Sequence, residues 1–198
     1  MDGALVYEDY LSLVRKKKIL SSKLLYSQIQ PSSLDLSLSN ECYEVRTSFL
    51  STRCKVRNKL KKIYIKKIDI SIPKILKKNK TYIVRLNEKL ELGNSIKGHC
   101  NPKSSTGRLN IFCRTILDYS DEYEKIPINY KGEMFIEITT RSFDIKISEG
   151  DKLNQMRLTK KVHNYLNDEK LKKIHKRNPL IFSKNNNFIE NGVKVSVD

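Results

Sequence analysis

Apolar and polar residues alternate along much of this chain, and a period of two predicts strands. Leu34, Leu36 and Leu38 alternate with Asp35, Ser37 and Ser39, and the same rule holds for Ile68, Ile70 and Ile72 and for Tyr82, Val84 and Leu86. Met134, Ile136 and Ile138 share one face of a further strand, with Glu133, Phe135 and Glu137 on the other. Phe143, Ile145 and Ile147 form another set, closed by a Glu149-Gly150-Asp151 turn, and Leu153, Met156 and Leu158 mark a last short strand. The period differs near the N-terminus, where Leu11 and Val14 sit at helical spacing ahead of the cluster Lys16-Lys17-Lys18. That layout predicts a short amphipathic helix within residues 5–20, with its basic residues near its C-terminal end. Pro31-Ser32-Ser33 breaks the chain before the first strand. Short strands separated by turns predict a mainly β fold, a sandwich or barrel, with a short N-terminal helix.

After Leu158 the chain becomes rich in Lys and Asn, with a short helix expected around Asp168 to Lys176. The expected organisation is therefore a β domain over residues 1–158, a linker or surface segment over 159–191, and a new strand beginning at 192–198. The 198 residues suffice for one domain with a real core.

The formal net charge of +17 admits two origins, a polyanionic partner or the Lys-, Ile- and Asn-rich usage of an AT-rich genome. The charges are scattered in short runs, without the clustered, aromatic-interleaved pattern of a nucleic-acid face, so no nucleic-acid partner is expected. Such a surface still attracts a small polyanion such as a triphosphate. No run approaches the roughly 20 apolar residues of a membrane span. Met1-Asp2-Gly3 also lacks a signal-peptide layout. These features predict a soluble, cytoplasmic protein without a membrane partner. Cys42, Cys54, Cys100 and Cys113 contain no Cys-x-x-Cys pair, and His99 beside Cys100 has no companions at ligand spacing, so no zinc site is expected.

Chemistry concentrates in two places. Between Pro102 and Leu109, Ser104, Ser105 and Thr106 offer hydroxyls, Gly107 permits a sharp turn, and Lys103 and Arg108 bracket them with positive charge. Such a loop can gather phosphate oxygens, although it lacks the Gly-x-x-x-x-Gly-Lys of a Walker loop; the alternative is an ordinary polar turn. Glu137, flanked by Ile136 and Ile138, is a candidate proton shuttle, against the alternative of a solvated strand residue paired with a lysine. Asp118, after Ile116-Leu117, is a second candidate acid, against the alternative of a turn-initiating Asp. Together the two segments read as a nucleotide triphosphate site with a general base.

The chain resembles the dCTP deaminase and dUTPase family, and within it the N-terminal half of the longer deaminase subfamily. The matching segments are Gln28 to Leu36, Pro102 to Leu109, Asn129 to Ile138, Arg141 to Gly150 and Leu153 to Arg157, with Val45 to Leu50 fitting the long subfamily in particular. The resemblance implies a dUTPase-like jelly roll or distorted β-barrel. It implies a homo-oligomer, either a trimer with sites between subunits or a pseudo-trimer of paired halves. It also implies that residues 192–198 begin a second domain.

In the family's Ser-Ser-x-x-Arg motif, Ser104 and Arg108 flank the reacting base and its attacking water, and Ser105 helps hold phosphate. Lys103 takes a position where deaminases commonly have a phosphate-binding Arg, Thr106 and Gly107 complete the phosphate turn, and Gln155 lies near the triphosphate. Glu137 takes the catalytic position. Mg²⁺ would enter with the nucleotide, and no zinc is implied, since the His-x-Glu and Pro-Cys-x-x-Cys pattern of zinc deaminases is missing. The implied reaction is hydrolysis of dCTP to dUTP and ammonia. The alternatives are a dUTP pyrophosphatase or bifunctional enzyme using Asp118, a nucleotide-binding or oligomer-forming chain without turnover, and a nucleic-acid module motivated by charge alone.

Overall fold

The computed structural model of the chain describes residues 3–160, 166–181 and 188–194. They divide into two compact units, residues 1–161 and 162–198.

The first unit begins with β1 (Gly3–Ala4), α1 (Tyr7–Arg15), β2 (Ile19–Leu20), a 3-10 turn (Tyr26–Gln28), β3 (Leu34–Leu36), β4 (Leu38–Val45) and α2 (Val56–Ile63). It continues with β5 (Tyr64–Asp69), β6 (Lys74–Leu76), β7 (Thr81–Glu91), β8 (Ile96–Pro102) and α3 (Ser104–Arg108). It closes with β9 (Ile111–Leu117), β10 (Lys125–Ile126), β11 (Lys131–Thr140), β12 (Ile145–Ile147) and β13 (Asn154–Lys160). One sheet runs β1-β13-β8-β10 with β3 also on β13, and a larger one runs β5-β4-β7-β11-β9 with β2 also on β7. A small β12-β6 pair accompanies them, and all pairings are antiparallel. Among the described strands no sheet closes into a barrel, so of the expected forms it is the open, distorted two-sheet one that is found.

Alternation places the core. Leu34, Leu36, Val84, Leu86, Met134, Ile136, Ile138, Met156 and Leu158 join one apolar cluster drawn from both sheets. The opposite face of the larger sheet is buried as well. Ile83, Ile116 and Phe135 meet Val45, Phe49, Val56 and Leu60 in a second cluster, so residues 46–63 cover that face. Helix α2 contributes Val56 and Leu60, one turn apart. Val56, Leu60 and Ile63 stand at i, i+4 and i+7, a helical spacing that the strand-dominated pattern of the chain does not bring out.

Other differences are local. The strand expected through Ile72 ends at Asp69, with Ile70 buried and Ile72 exposed. In α1, Tyr10 and Leu13 are the buried residues, with Leu11 and Val14 packed at the core's edge. The Tyr10 hydroxyl donates to the Met156 carbonyl (3.2 Å) and accepts from the Leu158 amide (2.8 Å), pinning α1 to β13. Strand β8 escapes the pattern because Gly98 interrupts its inward series between Ile96 and Cys100. A Cβ on Gly98 would lie 2.6 Å from Leu158 Cδ2 and 2.8 Å from the Arg157 carbonyl oxygen, which only glycine avoids.

On the outer face, Arg57 of α2 donates to Glu41 (2.7 and 3.0 Å) and to Glu133 (2.5 and 3.0 Å), and Arg85 also reaches Glu41 (3.0 Å). Burial alone would raise the Glu41 pKa. Hydrogen bonds from Arg57 and Tyr43, with the Arg57 charge, outweigh it and hold the carboxyl at about 2. An acid depressed in the fold contributes stability above its unfolded value, and that contribution is lost as pH falls from about 4.5 through about 2. The expected result is a melting temperature that declines below about pH 4.5, with a shallower acid slope in Glu41→Gln. An unchanged slope in the variant, read by calorimetry, would discount this cluster as the acid-sensitive element.

In the second unit, α4 (Asp168–Arg177) lies close to the expected helix. The Asn167 side chain caps it, accepting from the Lys170 amide (3.0 Å). The stretch read as linker also carries a small apolar cluster of Leu171, Phe188 and Ile189. Of the strand expected at 192–198, residues 195–198 lie outside the described residues. Val193 makes a single bridge to Ile189.

Candidate active site

Strand β11 carries Glu137 on the covered face, two residues beyond Phe135. The cover turns an expected polar-side residue into a buried one, its side chain 4% exposed. Directly across on β9 stands Arg114, its register partner. Arg114 donates from Nε (3.1 Å) and from Nη2 (2.5 Å), both to Glu137 Oε1. The other carboxylate oxygen, Oε2, is buried and has no hydrogen-bond partner among the described residues. Leaving a buried acceptor unpaired costs about 1–3 kcal/mol, so this oxygen calls for a further partner, a water, an ion or a ligand.

Arg114 is itself held. Its guanidinium carbon lies 4.0 Å from the Tyr123 ring centroid, and Nη2 reaches Ser48 Oγ (3.3 Å). Tyr123 in turn donates its hydroxyl to the Phe49 carbonyl (3.3 Å), and burial raises its pKa. Sequence reasoning does not single out Arg114, Ser48 or Tyr123. One signal is available to it: Arg114 is the only charged residue between Ile111 and Leu117.

The segment expected as a sharp polar turn is instead the short helix α3, residues 104–108. Gly107 sits in it without a positive φ, and a Cβ there meets nothing within 4 Å, so the sharp-turn role expected of Gly107 is not what the backbone uses. Ser104, Ser105 and Arg108 are exposed and make no side-chain hydrogen bond or ion pair to described residues. Thr106 is different: its buried hydroxyl donates to the Leu153 carbonyl (2.9 Å) and anchors α3 to the strand entering β13.

Lys103, at the cap of α3, pairs with the buried carboxylate of Asp35. Gln155 lies opposite Asp35 and Asn101 in the ladder, and its Oε1 accepts from Ser33 Oγ (3.3 Å). Gln28 fixes this corner by donating to the Asp35 carbonyl (2.8 Å) and to buried Glu88 (2.9 Å). Burial raises the Glu88 pKa, against the pull of its Ser37 and Gln28 donors. The structure thus gathers Lys103, Gln155 and the start of α3 in one corner. Within one chain, no hydrogen bond or ion pair among the described residues links Glu137 to Ser104 or Arg108.

Asp118 is 9% exposed, and its Oδ1 accepts from the Val56 amide at the start of α2 (2.7 Å). Burial raises its pKa, with the Val56 hydrogen bond pulling the other way. A Cβ on Gly132 would lie 2.8 Å from the Tyr130 hydroxyl and 3.3 Å from Asp118 Oδ2, so Gly132 gives these side chains room. Cys100 is fully buried and its thiol is pushed up by burial. Among the described residues no group of three or more His, Cys, Asp or Glu side chains converges as a metal cage, and no helix is long and apolar enough to cross a membrane.

The described strands thus form an open, mainly β two-sheet domain that carries a buried carboxylate on β11 and a solvent-facing Ser-Ser-x-x-Arg helix. Residues 1–162 match the family described as the 2'-deoxycytidine 5'-triphosphate deaminase (DCD) N-terminal domain, and the chain belongs to that family. Among solved structures, a 2'-deoxycytidine 5'-triphosphate deaminase from Agrobacterium tumefaciens is 36% identical at a TM-score of 0.86. That match covers 94% of this chain and 56% of the deaminase, so the chain spans little more than half of that protein's length. An EIAV dUTPase aligns at 19% identity and a TM-score of 0.38, over 50% of this chain and 76% of its own. No curated protein matches the chain.

Proposed function

We propose that this chain deaminates dCTP to dUTP and ammonia. The observation that carries the reading is Glu137 Oε2, a buried carboxylate oxygen without a partner among the described residues, in a member of the deaminase family. Glu137 accepts a proton from water, and the water oxygen bonds to C4 of cytosine. The same carboxyl returns that proton to N3. It then moves the second water proton to the amino group, the C4–N bond breaks, and ammonia leaves. Arg108 and Ser104 orient the water and stabilise charge on the tetrahedral intermediate. The scheme draws on no zinc. Lys103, Ser105, Gln155 and the exposed turn of α3 bind the triphosphate, for which Lys103 exchanges Asp35 for phosphate oxygens. Mg²⁺ accompanies the triphosphate and is held mainly by its phosphates, neutralising their charge. A free nucleotide substrate is compatible with work in the cytoplasm.

Supporting the assembly reading, Ser104 and Arg108 face solvent while Glu137 is buried and makes no hydrogen bond or ion pair to either among the described residues, and Leu109 and Phe112, which follow the motif, expose apolar surface. We take the motif of one copy to serve Glu137 of a neighbouring copy, in a trimer or in a pairing with a second half-domain. Arg108→Ala and Glu137→Gln, each inactive alone, should then restore activity when refolded together, to roughly a quarter of wild type for random pairing in a closed ring. A mixture that stays inactive would place both groups in one chain's site.

The direct test is ammonia release and product identity from dCTP with Mg²⁺. Formation of dUTP supports the reading. Formation of dUMP would add a pyrophosphatase step. Binding without turnover would reduce the chain to a nucleotide-binding part.

A further inference from the structure

We propose that Arg114 is a positioning residue that clamps Glu137 Oε1 so that Oε2 alone faces the reaction; the inference rests on Glu137 being the base. A carboxylate can rotate about its terminal bond and exchange its two oxygens. Here both donors of one guanidinium edge grip the same oxygen, Nε at 3.1 Å and Nη2 at 2.5 Å, which saturates Oε1 and leaves Oε2 unpartnered. The grip comes from the directly opposed position in β9, so the register of two paired strands sets its geometry.

The clamp is braced from behind. Arg114 lies on the Tyr123 ring and against Ser48, and Tyr123 hydrogen-bonds the Phe49 carbonyl. Cation–π contact and a hydroxyl acceptor restrict a long side chain that would otherwise sample many rotamers. Three separate segments, the cover at 48–49, the loop at 123 and strand β9, therefore converge on one carboxylate oxygen. The Val45–Leu50 segment thereby gains a role beyond covering the sheet, since it fixes the residue that aims the base. A displacement of about 1 Å in a reacting group can lower a rate by about 10²-fold, which is the effect assigned to losing the clamp.

The test compares Arg114→Ala, Arg114→Lys and Glu137→Gln in steady-state ammonia release from dCTP. Arg114→Ala should lose about 100-fold in kcat with KM within about twofold, because the residue orients the base and does not hold the nucleotide. Arg114→Lys keeps the charge and the fold, but a single ammonium lacks the planar fork of a guanidinium. It should recover only part of the loss, leaving kcat about tenfold below wild type. Added guanidinium at low millimolar concentration should raise the rate of Arg114→Ala and leave Glu137→Gln unaffected.

A merely structural Arg114 would lower the melting temperature and leave kcat per folded molecule unchanged. That result, or wild-type kcat in Arg114→Lys, overturns the clamp while Glu137→Gln remains inactive. Full activity in Glu137→Gln, or no turnover by the wild-type chain, would overturn the deaminase reading itself and the clamp with it.

Discussion

Glu137→Gln is expected to lower ammonia release from dCTP by roughly 10²–10⁴-fold, the range for losing a positioned general acid–base group. The amide is nearly isosteric, so the fold and the cover over β11 should survive. An amide cannot take a proton from water and return it to N3. Its nitrogen also brings two donors into a site where Arg114 already donates, so the amide is expected to turn its oxygen toward Arg114. The nitrogen then lies where Oε2 was, and the acceptor the reaction needs is gone. Nucleotide binding should change little, because the phosphate corner around Lys103 and Gln155 makes no hydrogen bond or ion pair to Glu137 among the described residues. Calorimetric dCTP affinity beside the rate separates the two effects. A variant that turns over at the wild-type rate would remove Glu137 from the chemistry.

The largest expected loss of stability follows from Phe135→Ala, at about 3–5 kcal/mol. Phe135 is fully buried between the outer face of the larger sheet and the cover, against Val45, Phe49, Val56, Leu60, Ile83 and Ile116. Its ring also lies 5.6 Å from the Arg57 guanidinium carbon. Removing the ring opens a cavity that the β ladder on either side keeps from collapsing. The main core, on the other face, should be affected less. Hydrogen exchange should therefore report faster opening of residues 46–63 than of β13 or β8, and the melting temperature should fall by several degrees or more. Uniform loss of protection across both faces would mean that the two apolar clusters unfold as one. Loosened cover should also slow deamination, since Ser48 and the Phe49 carbonyl brace the groups that hold Glu137.

Much of the fold was legible as pattern. The alternations at 82–86 and 134–138 fall in strands, that at 34–38 spans the end of β3 and the start of β4, and that at 143–147 is a strand from Ile145 on, with Phe143 exposed before it, because a half-buried antiparallel strand writes its two faces into successive residues. Strand β8 and helix α2 fall outside that pattern, for different reasons. Gly98 leaves a core position without a side chain, since β13 passes too close for a Cβ. In α2 the helical spacing of Val56, Leu60 and Ile63 is present, but it spans only two turns and is set among lysines.

By itself the sequence determined the strand faces, and with them that Glu137 and Phe135 share one side of β11. It also determined that hydroxyls and cations crowd between Lys103 and Arg108. Only the tertiary structure decided that the Glu137 side of the sheet is covered, because that depends on a segment about 80 residues earlier packing across it. Only the strand register set Arg114 opposite Glu137 and left one oxygen without a partner. The same holds for Thr106, whose hydroxyl the sequence offers to phosphate and the fold gives to the Leu153 carbonyl. Periodicity is a local property and survives in the sequence; burial and pairing are made by residues distant in the chain, and they exist only once it has folded.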